Sequence, residues 1–110
     1  METKIEEKGE VIVVRLEGRL DAASSPQLEK KLHSIIESGY FKLILNFSSV
    51  DYLSSAGMRL MLAISKKLKS LEGKLVACQM SDDVMEVIKM AGFQQVIEIY
   101  PSEEECFAHL

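Results

Sequence analysis

Phe41-Lys42-Leu43-Ile44-Leu45-Asn46-Phe47, two serines, and then Val50-Asp51-Tyr52-Leu53-Ser54-Ser55-Ala56-Gly57-Met58 is the stretch that decides the fold. Its first seven residues are apolar almost without a break, the pattern of a strand covered on both faces, as at the centre of a sheet. Downstream the period changes. Met58, Met61, Leu62, Ser65, Leu68 and Leu71 recur at helical spacing as far as Gly73. A buried strand that passes through a polar loop into an amphipathic helix is half of a β-α-β unit. It predicts an α/β protein with parallel strands.

The flanks extend the same alternation. Upstream, Val11–Leu16 is a short β-branched run between Gly9 and Gly18, and Lys4-Ile5-Glu6 can pair with it across a Lys8-Gly9 turn. Ser25-Pro26 opens a helix, serine as the cap and proline in the first turn; Leu28, Leu32, Ile35 and Ile36 form its apolar stripe, and Gly39 ends it. Downstream, Lys74–Gln79 predicts a strand. Ser81-Asp82-Asp83 starts a helix with Val84, Val87, Ile88 and Ala91 on one face, closed by Gly92. Val96–Tyr100 predicts a last strand, and the capping box Ser102-Glu103-Glu104-Glu105 starts a final helix to Leu110. The order β-β-α-β-α-β-α-β-α predicts one domain over residues 1–110, with a mixed, mainly parallel sheet and right-handed crossovers.

Charge and composition exclude several function classes. Thirteen Lys and Arg against 17 Asp and Glu leave a net charge of −4, the wrong sign for nucleic-acid binding. Lys66, Lys67 and Lys69 read as the solvated face of a helix. Cys78 and Cys106 show neither CxxC nor any His/Cys metal spacing, so no metal or other cofactor is expected; Cys78 sits in an apolar run and reads as core. The N-terminus has no apolar signal region and no run approaches a membrane span, so a cytoplasmic protein without membrane insertion is expected. A monomer is the default expectation.

In parallel sheets, function gathers at loops beyond the carboxyl ends of the strands. Gly18–Ala23 and Val50–Met58 are such loops. Ser55 is expected at or near the start of the long helix, among unpaired backbone N–H groups. Two roles fit it: an N-cap, or a phosphoserine held by those donors and by the helix dipole. One residue can serve both, and spacing does not separate them. Asp21 reads as the cap of the turn that follows it, and Asp51 as a turn residue after its strand. Met58 offers an adaptable contact surface, whereas Met61 reads as core.

Taken together, Gly18-x-Leu20-Asp21, Leu45-Asn46-Phe47 and Tyr52-Leu53-Ser54-Ser55-Ala56-Gly57-Met58 resemble a STAS domain of the anti-sigma factor antagonist family. The resemblance spans the chain. It implies that Ser55 is the phosphoacceptor, with Ser54 as a competing one, and that Asp21 lies beside it on the partner surface with Ser54, Gly57, Met58 and Arg59. It also implies an anti-sigma factor of the serine-kinase type as partner, bound by the unphosphorylated form so that a sigma factor is freed, and a phosphatase that resets Ser55. Two positions depart from the family's pattern: Ser54 replaces the usual Asp before the acceptor, and Gly57-Met58-Arg59 replaces Gly-Leu-Gly. Arg59 could balance a phosphate one helical turn away. The alternative within the same fold is an interaction subunit of a lipid-transport ABC system or a sensor complex, without a phospho-switch.

Enzymatic readings fit poorly. A hydrolase elbow lacks its first glycine at Leu53-Ser54-Ser55-Ala56-Gly57, and only His33 and His109 could act as base. A receiver with Asp51 as acceptor needs an acidic pair after the first strong strand, where Gly18-Arg19-Leu20-Asp21 stands instead. An interaction protein is expected, not an enzyme.

Overall fold

Alternating burial along the strands fixes which face each residue covers. A computed structural model of residues 1–110 contains, in order, β1 (Glu2–Lys8), β2 (Val11–Leu20), α1 (Ser25–Glu37), β3 (Lys42–Leu53), α2 (Ser55–Ser70), β4 (Lys74–Cys78), α3 (Asp82–Met90), a single 3₁₀ turn (Phe93–Gln95), β5 (Glu98–Tyr100) and α4 (Glu103–Ala108). The strands lie side by side in sequence order, β1 antiparallel to β2 and the rest parallel. The α/β class, the mixed sheet and the element order are those expected, with β3 at the centre.

Ile12, Val14 and Leu16 of β2, Leu43, Leu45 and Phe47 of β3, and Leu75 and Ala77 of β4 enter one apolar cluster of 22 buried residues with the inner faces of α1, α2 and α3. The intervening residues Val11, Val13, Ile44, Val76 and Cys78 form a cluster of six with Cys106 of α4 on the opposite face. Two covered faces explain the unbroken apolar runs. Met61 and both cysteines are buried.

The second face is closed by a polar network. Arg15 makes a bidentate pair with Glu103 (2.8 and 2.9 Å) and a further contact to Glu6 (2.7 Å). Asn46, buried in β3, donates to Glu103 and Gln79 and accepts from the Ser48 N–H at 2.8 Å. These bonds fasten α4 to the sheet, and Arg15 holds the Glu103 carboxyl below the usual carboxylate range.

Several boundaries differ from expectation. β3 runs on to Leu53 and β2 to Leu20, so much of both anticipated loops is strand, and Asp51 is within β3 instead of a turn after it. The register of β2 on β3 slips by one residue between Arg15 and Glu17 and again between Gly18 and Arg19. These bulges break the period of two, so Val50 and Leu53 are buried while Ser48, Ser49, Asp51 and Tyr52 face outward. Gly18 takes a positive φ of 109° at the second slip. The last strand begins at Glu98, because Phe93–Gln95 coils into the 3₁₀ turn, and α4 stops at Ala108, short of Leu110. Gly73 follows α2 for a steric reason: a Cβ there would lie 2.1 Å from the Phe41 carbonyl oxygen.

Candidate functional site

Ser54, not Ser55, caps α2. Its backbone is extended, its N–H donates to the Leu20 carbonyl (2.9 Å), and its Oγ accepts from the Gly57 N–H (3.3 Å). Ser55 is therefore the first helical residue. It is exposed, and its hydroxyl has no hydrogen-bond partner within the chain. The backbone N–H groups of Ser55 and Ala56 also find no acceptor within the chain, as expected for the first turn of a helix. No acidic residue stands in that turn.

Gly57 sets how deeply this helix start can sit. A Cβ at this position would lie 2.7 Å from Leu20 Cγ and 2.8 Å from Leu53 Cδ1, both in buried side chains at the ends of β2 and β3. Only a bare α-carbon lets α2 begin directly on that leucine pair. Gly57 thus positions the site from below, and Met58 is half-buried against the core. Arg59 is exposed one turn beyond Ser55.

Asp21 does cap its turn. Its Oδ1 accepts from the N–H groups of Ala23 and Ser24, both at 3.0 Å, and the Ser24 bond leads in holding the carboxyl below the ordinary range. The serines before α1 bond back into this turn: Ser24 Oγ donates to the Arg19 carbonyl (2.7 Å) and Ser25 Oγ to the Asp21 carbonyl (2.6 Å). Neither caps α1 through its side chain, and the residue that precedes the helix is Ser24 instead of Ser25. The hydrogen bond from Ser54 to Leu20 ties the two loops, so Asp21 and Ser55 stand at the same end of the sheet. Ala22, Pro26 and Glu29 face Ala56, Arg59 and Ala63 across an open groove of about 500 Å³ between the starts of α1 and α2.

Arg19 and Tyr52 complete the rim, and sequence reading gave neither a role. The Arg19 guanidinium lies over the Tyr52 ring at 4.1 Å, with its Nε 3.7 Å from Asp21 Oδ2. They are register partners across β2 and β3, a relation visible only once both bulges are known. Tyr52, Arg19, Asp21, Ser55 and Arg59 form a mixed-charge, partly aromatic surface, rigidly backed and without a nucleophile–base pair. The two histidines stand elsewhere: His33 is within α1, and His109 stacks on Tyr100 at the far end of the sheet, with ring centroids 4.3 Å apart. No group of three or more His, Cys, Asp or Glu residues could hold a metal ion, and no helix is long and apolar enough to cross a membrane.

The STAS domain family matches residues 2–106. BtrV of Bordetella bronchiseptica, assigned as an anti-sigma factor antagonist, is 32% identical over 98 residues, covering 89% of this chain and 84% of that protein. The anti-sigma F factor antagonist of Paenibacillus polymyxa is 22% identical over 111 residues, covering 100% and 95%. Among solved structures, the anti-sigma factor antagonist SpoIIAA in its unphosphorylated form superposes with a TM-score of 0.83 at 25% identity, covering 98% of this chain and 95% of that one.

Proposed function

The chain belongs to the STAS domain family and to its anti-sigma factor antagonists, and we propose that it acts as a partner-switching protein controlled by phosphate at Ser55. The unphosphorylated form binds an anti-sigma factor of the serine-kinase type, which frees the sigma factor. Phosphorylation of Ser55 ends that binding, and a phosphatase restores it. The protein works by occupancy, not catalysis, and needs no cofactor.

The observation that carries the reading is the division of labour between two adjacent serines. The Ser54 hydroxyl is half-buried and engaged in capping, while the Ser55 hydroxyl is exposed and free. A kinase can reach the second without dismantling the helix start, which favours Ser55 over Ser54 as acceptor. The absence of the family's usual acid at position 54 fits the same arrangement, because a serine supplies the cap.

Phosphate would add about −1.5 to −2 charges. The free N–H groups of Ser55 and Ala56, the positive end of α2 and Arg59 can hold it without refolding. Asp21, ionised and on the same rim, makes the surface more acidic still. Burying that charge against a partner that had matched a neutral hydroxyl costs several kcal/mol, and about 1.4 kcal/mol is already tenfold in affinity. That SpoIIAA occurs in both an unphosphorylated and a phosphorylated form is consistent with this reading.

The test uses Ser55→Ala and Ser55→Asp proteins as paired baits. A serine-kinase anti-sigma factor should be retained by the first and held at least about tenfold more weakly by the second. Incubation of the wild type with that kinase and ATP should place phosphate on Ser55 and not on Ser54. Equal retention by both baits, or phosphate on Ser54 alone, would overturn the mechanism.

A further inference from the structure

β1 is an edge strand with nothing beyond it. No loop, helix or side chain hydrogen-bonds to the outward backbone groups of Glu2–Lys8. The opposite edge, β5, is only three residues long. An exposed seven-residue edge is a template for another strand unless its side chains forbid pairing. Here they forbid most pairings and favour one.

The strand reads Glu2-Thr3-Lys4-Ile5-Glu6-Glu7-Lys8. Suppose a second copy adds antiparallel about a two-fold axis normal to the sheet, so that both helix layers stay on the same side. Directly opposed residues must then point to the same face. Centred on Ile5, the pairing sets Glu2 against Lys8, Lys4 against Glu6, Thr3 against Glu7 and Ile5 against Ile5. Every charged pair on the α4 face is complementary. The neighbouring allowed registers are penalised: centring on Lys4 opposes Lys4 to Lys4 and Glu2 to Glu6, and centring on Glu6 opposes Glu6 to Glu6 and Lys4 to Lys8. Like charges directly opposite destabilise a sheet, and opposite charges support it.

The apolar residue at the centre fits as well. Ile5 is 50% exposed and forms the outer wall of an open groove of about 660 Å³, with Ile12 and Ile35 deeper in. It points to the α1 side, because its register partner is Val14 of the large cluster. The second copy's Ile5 would meet it at the groove mouth.

We propose that this chain forms a two-fold symmetric dimer through β1, centred on Ile5, that continues the two sheets into one of ten strands. Because the axis reverses strand direction, the two Ser55 surfaces point to opposite ends and both stay open. The dimer is thus bivalent for whatever partner the Ser55 surface takes. The inference does not rest on the phospho-switch. One seven-residue strand makes a small interface, so the association is weak and visible at high protein concentration.

Sedimentation equilibrium of the full chain over a wide concentration range should show monomer and dimer in exchange. Lys4 has no partner within the chain, so Lys4→Glu leaves the fold intact while opposing Glu6 twice; dimerisation should weaken by about tenfold. Register is read by cross-linking under oxidised glutathione, since Cys78 and Cys106 are buried. Ile5→Cys should link to itself. Thr3→Cys and Glu7→Cys should each link poorly alone and readily when mixed. A wild type that stays monomeric throughout would overturn the proposal. So would self-linking of Thr3→Cys or Glu7→Cys as fast as Ile5→Cys.

Discussion

The two faces of the sheet are closed by different chemistry. On one, three helices and the strand residues facing them form a dry cluster of 22 side chains. On the other, the short α4 covers five buried sheet residues with its own Cys106 and is otherwise held by Arg15, Glu103, Asn46 and Glu6. The Ser55 surface grows from the end of the dry face, where Leu20, Leu53 and Gly57 leave no slack. Apolar packing is non-directional and insensitive to pH, whereas the α4 anchor depends on charge and geometry. The candidate surface around Ser55 is thus founded on the part of the molecule that charge affects least.

The sharpest way to break this contrast is to hollow the dry face. Phe47→Ala removes the largest fully buried side chain and should cost about 3–5 kcal/mol, with the whole chain unfolding in one transition at lower denaturant. Gly57→Ala comes next, at about 1–3 kcal/mol, because its Cβ must displace Leu20 or Leu53. It should also shift the amide resonances of residues 53–59 while leaving those of α4 in place. Glu103→Gln should have the smallest effect, under about 1 kcal/mol globally, with faster amide exchange confined to α4 and the facing ends of β4 and β5. If Glu103→Gln lowered global stability as far as Phe47→Ala, the two faces would not be separate.

Acid sharpens the same contrast. The folded Glu103 carboxyl titrates below its ordinary value, chiefly because of the hydrogen bond from Arg15. A depressed folded pKa contributes stability that is present above the ordinary carboxylate value and disappears as pH falls through the folded one. Glu98, lowered mainly by Lys74, follows the same sign on the adjoining β5. Acidification should therefore raise exchange in β5 and α4 before β2 or β3, and Glu103→Gln should remove much of that pH dependence from α4. Uniform acid loosening across the sheet would refute it.

Sequence periodicity carried the architecture because burial repeats along each element: the runs at Val11–Val14 and Leu43–Phe47 and the stripe of α2 needed no knowledge of their neighbours. The misplaced boundaries have one physical origin. Bulges at Ser48 and Asp51 insert residues into β3 without a compositional mark, so the stretch from Val50 reads as loop although Val50, Tyr52 and Leu53 are paired to β2. The caps slipped by one residue for a related reason: in Ser24-Ser25 and Ser54-Ser55 either serine satisfies the local rule, and Leu20 and the Asp21 turn decide between them. Ser55 and Asp21 were singled out by a motif, and Arg59 by its place one helical turn beyond Ser55. The Arg19–Tyr52 stack and the Arg15–Glu103–Asn46 network were not, because their members stand 33, 88 and 57 residues apart.

Strand order has a consequence for how the molecule is made. Each strand hydrogen-bonds to the strand before it in the chain, so the sheet can grow by addition as the polypeptide emerges from the ribosome, starting with the hairpin. Loop-closure entropy stays modest at each step, which favours rapid folding for a largely parallel sheet. Only α4, synthesised after all five strands, reaches back across the sheet to β2. Until it docks, Val11, Val13, Ile44 and Val76 remain uncovered, and a nascent chain stalled near residue 100 would present that apolar surface to chaperones.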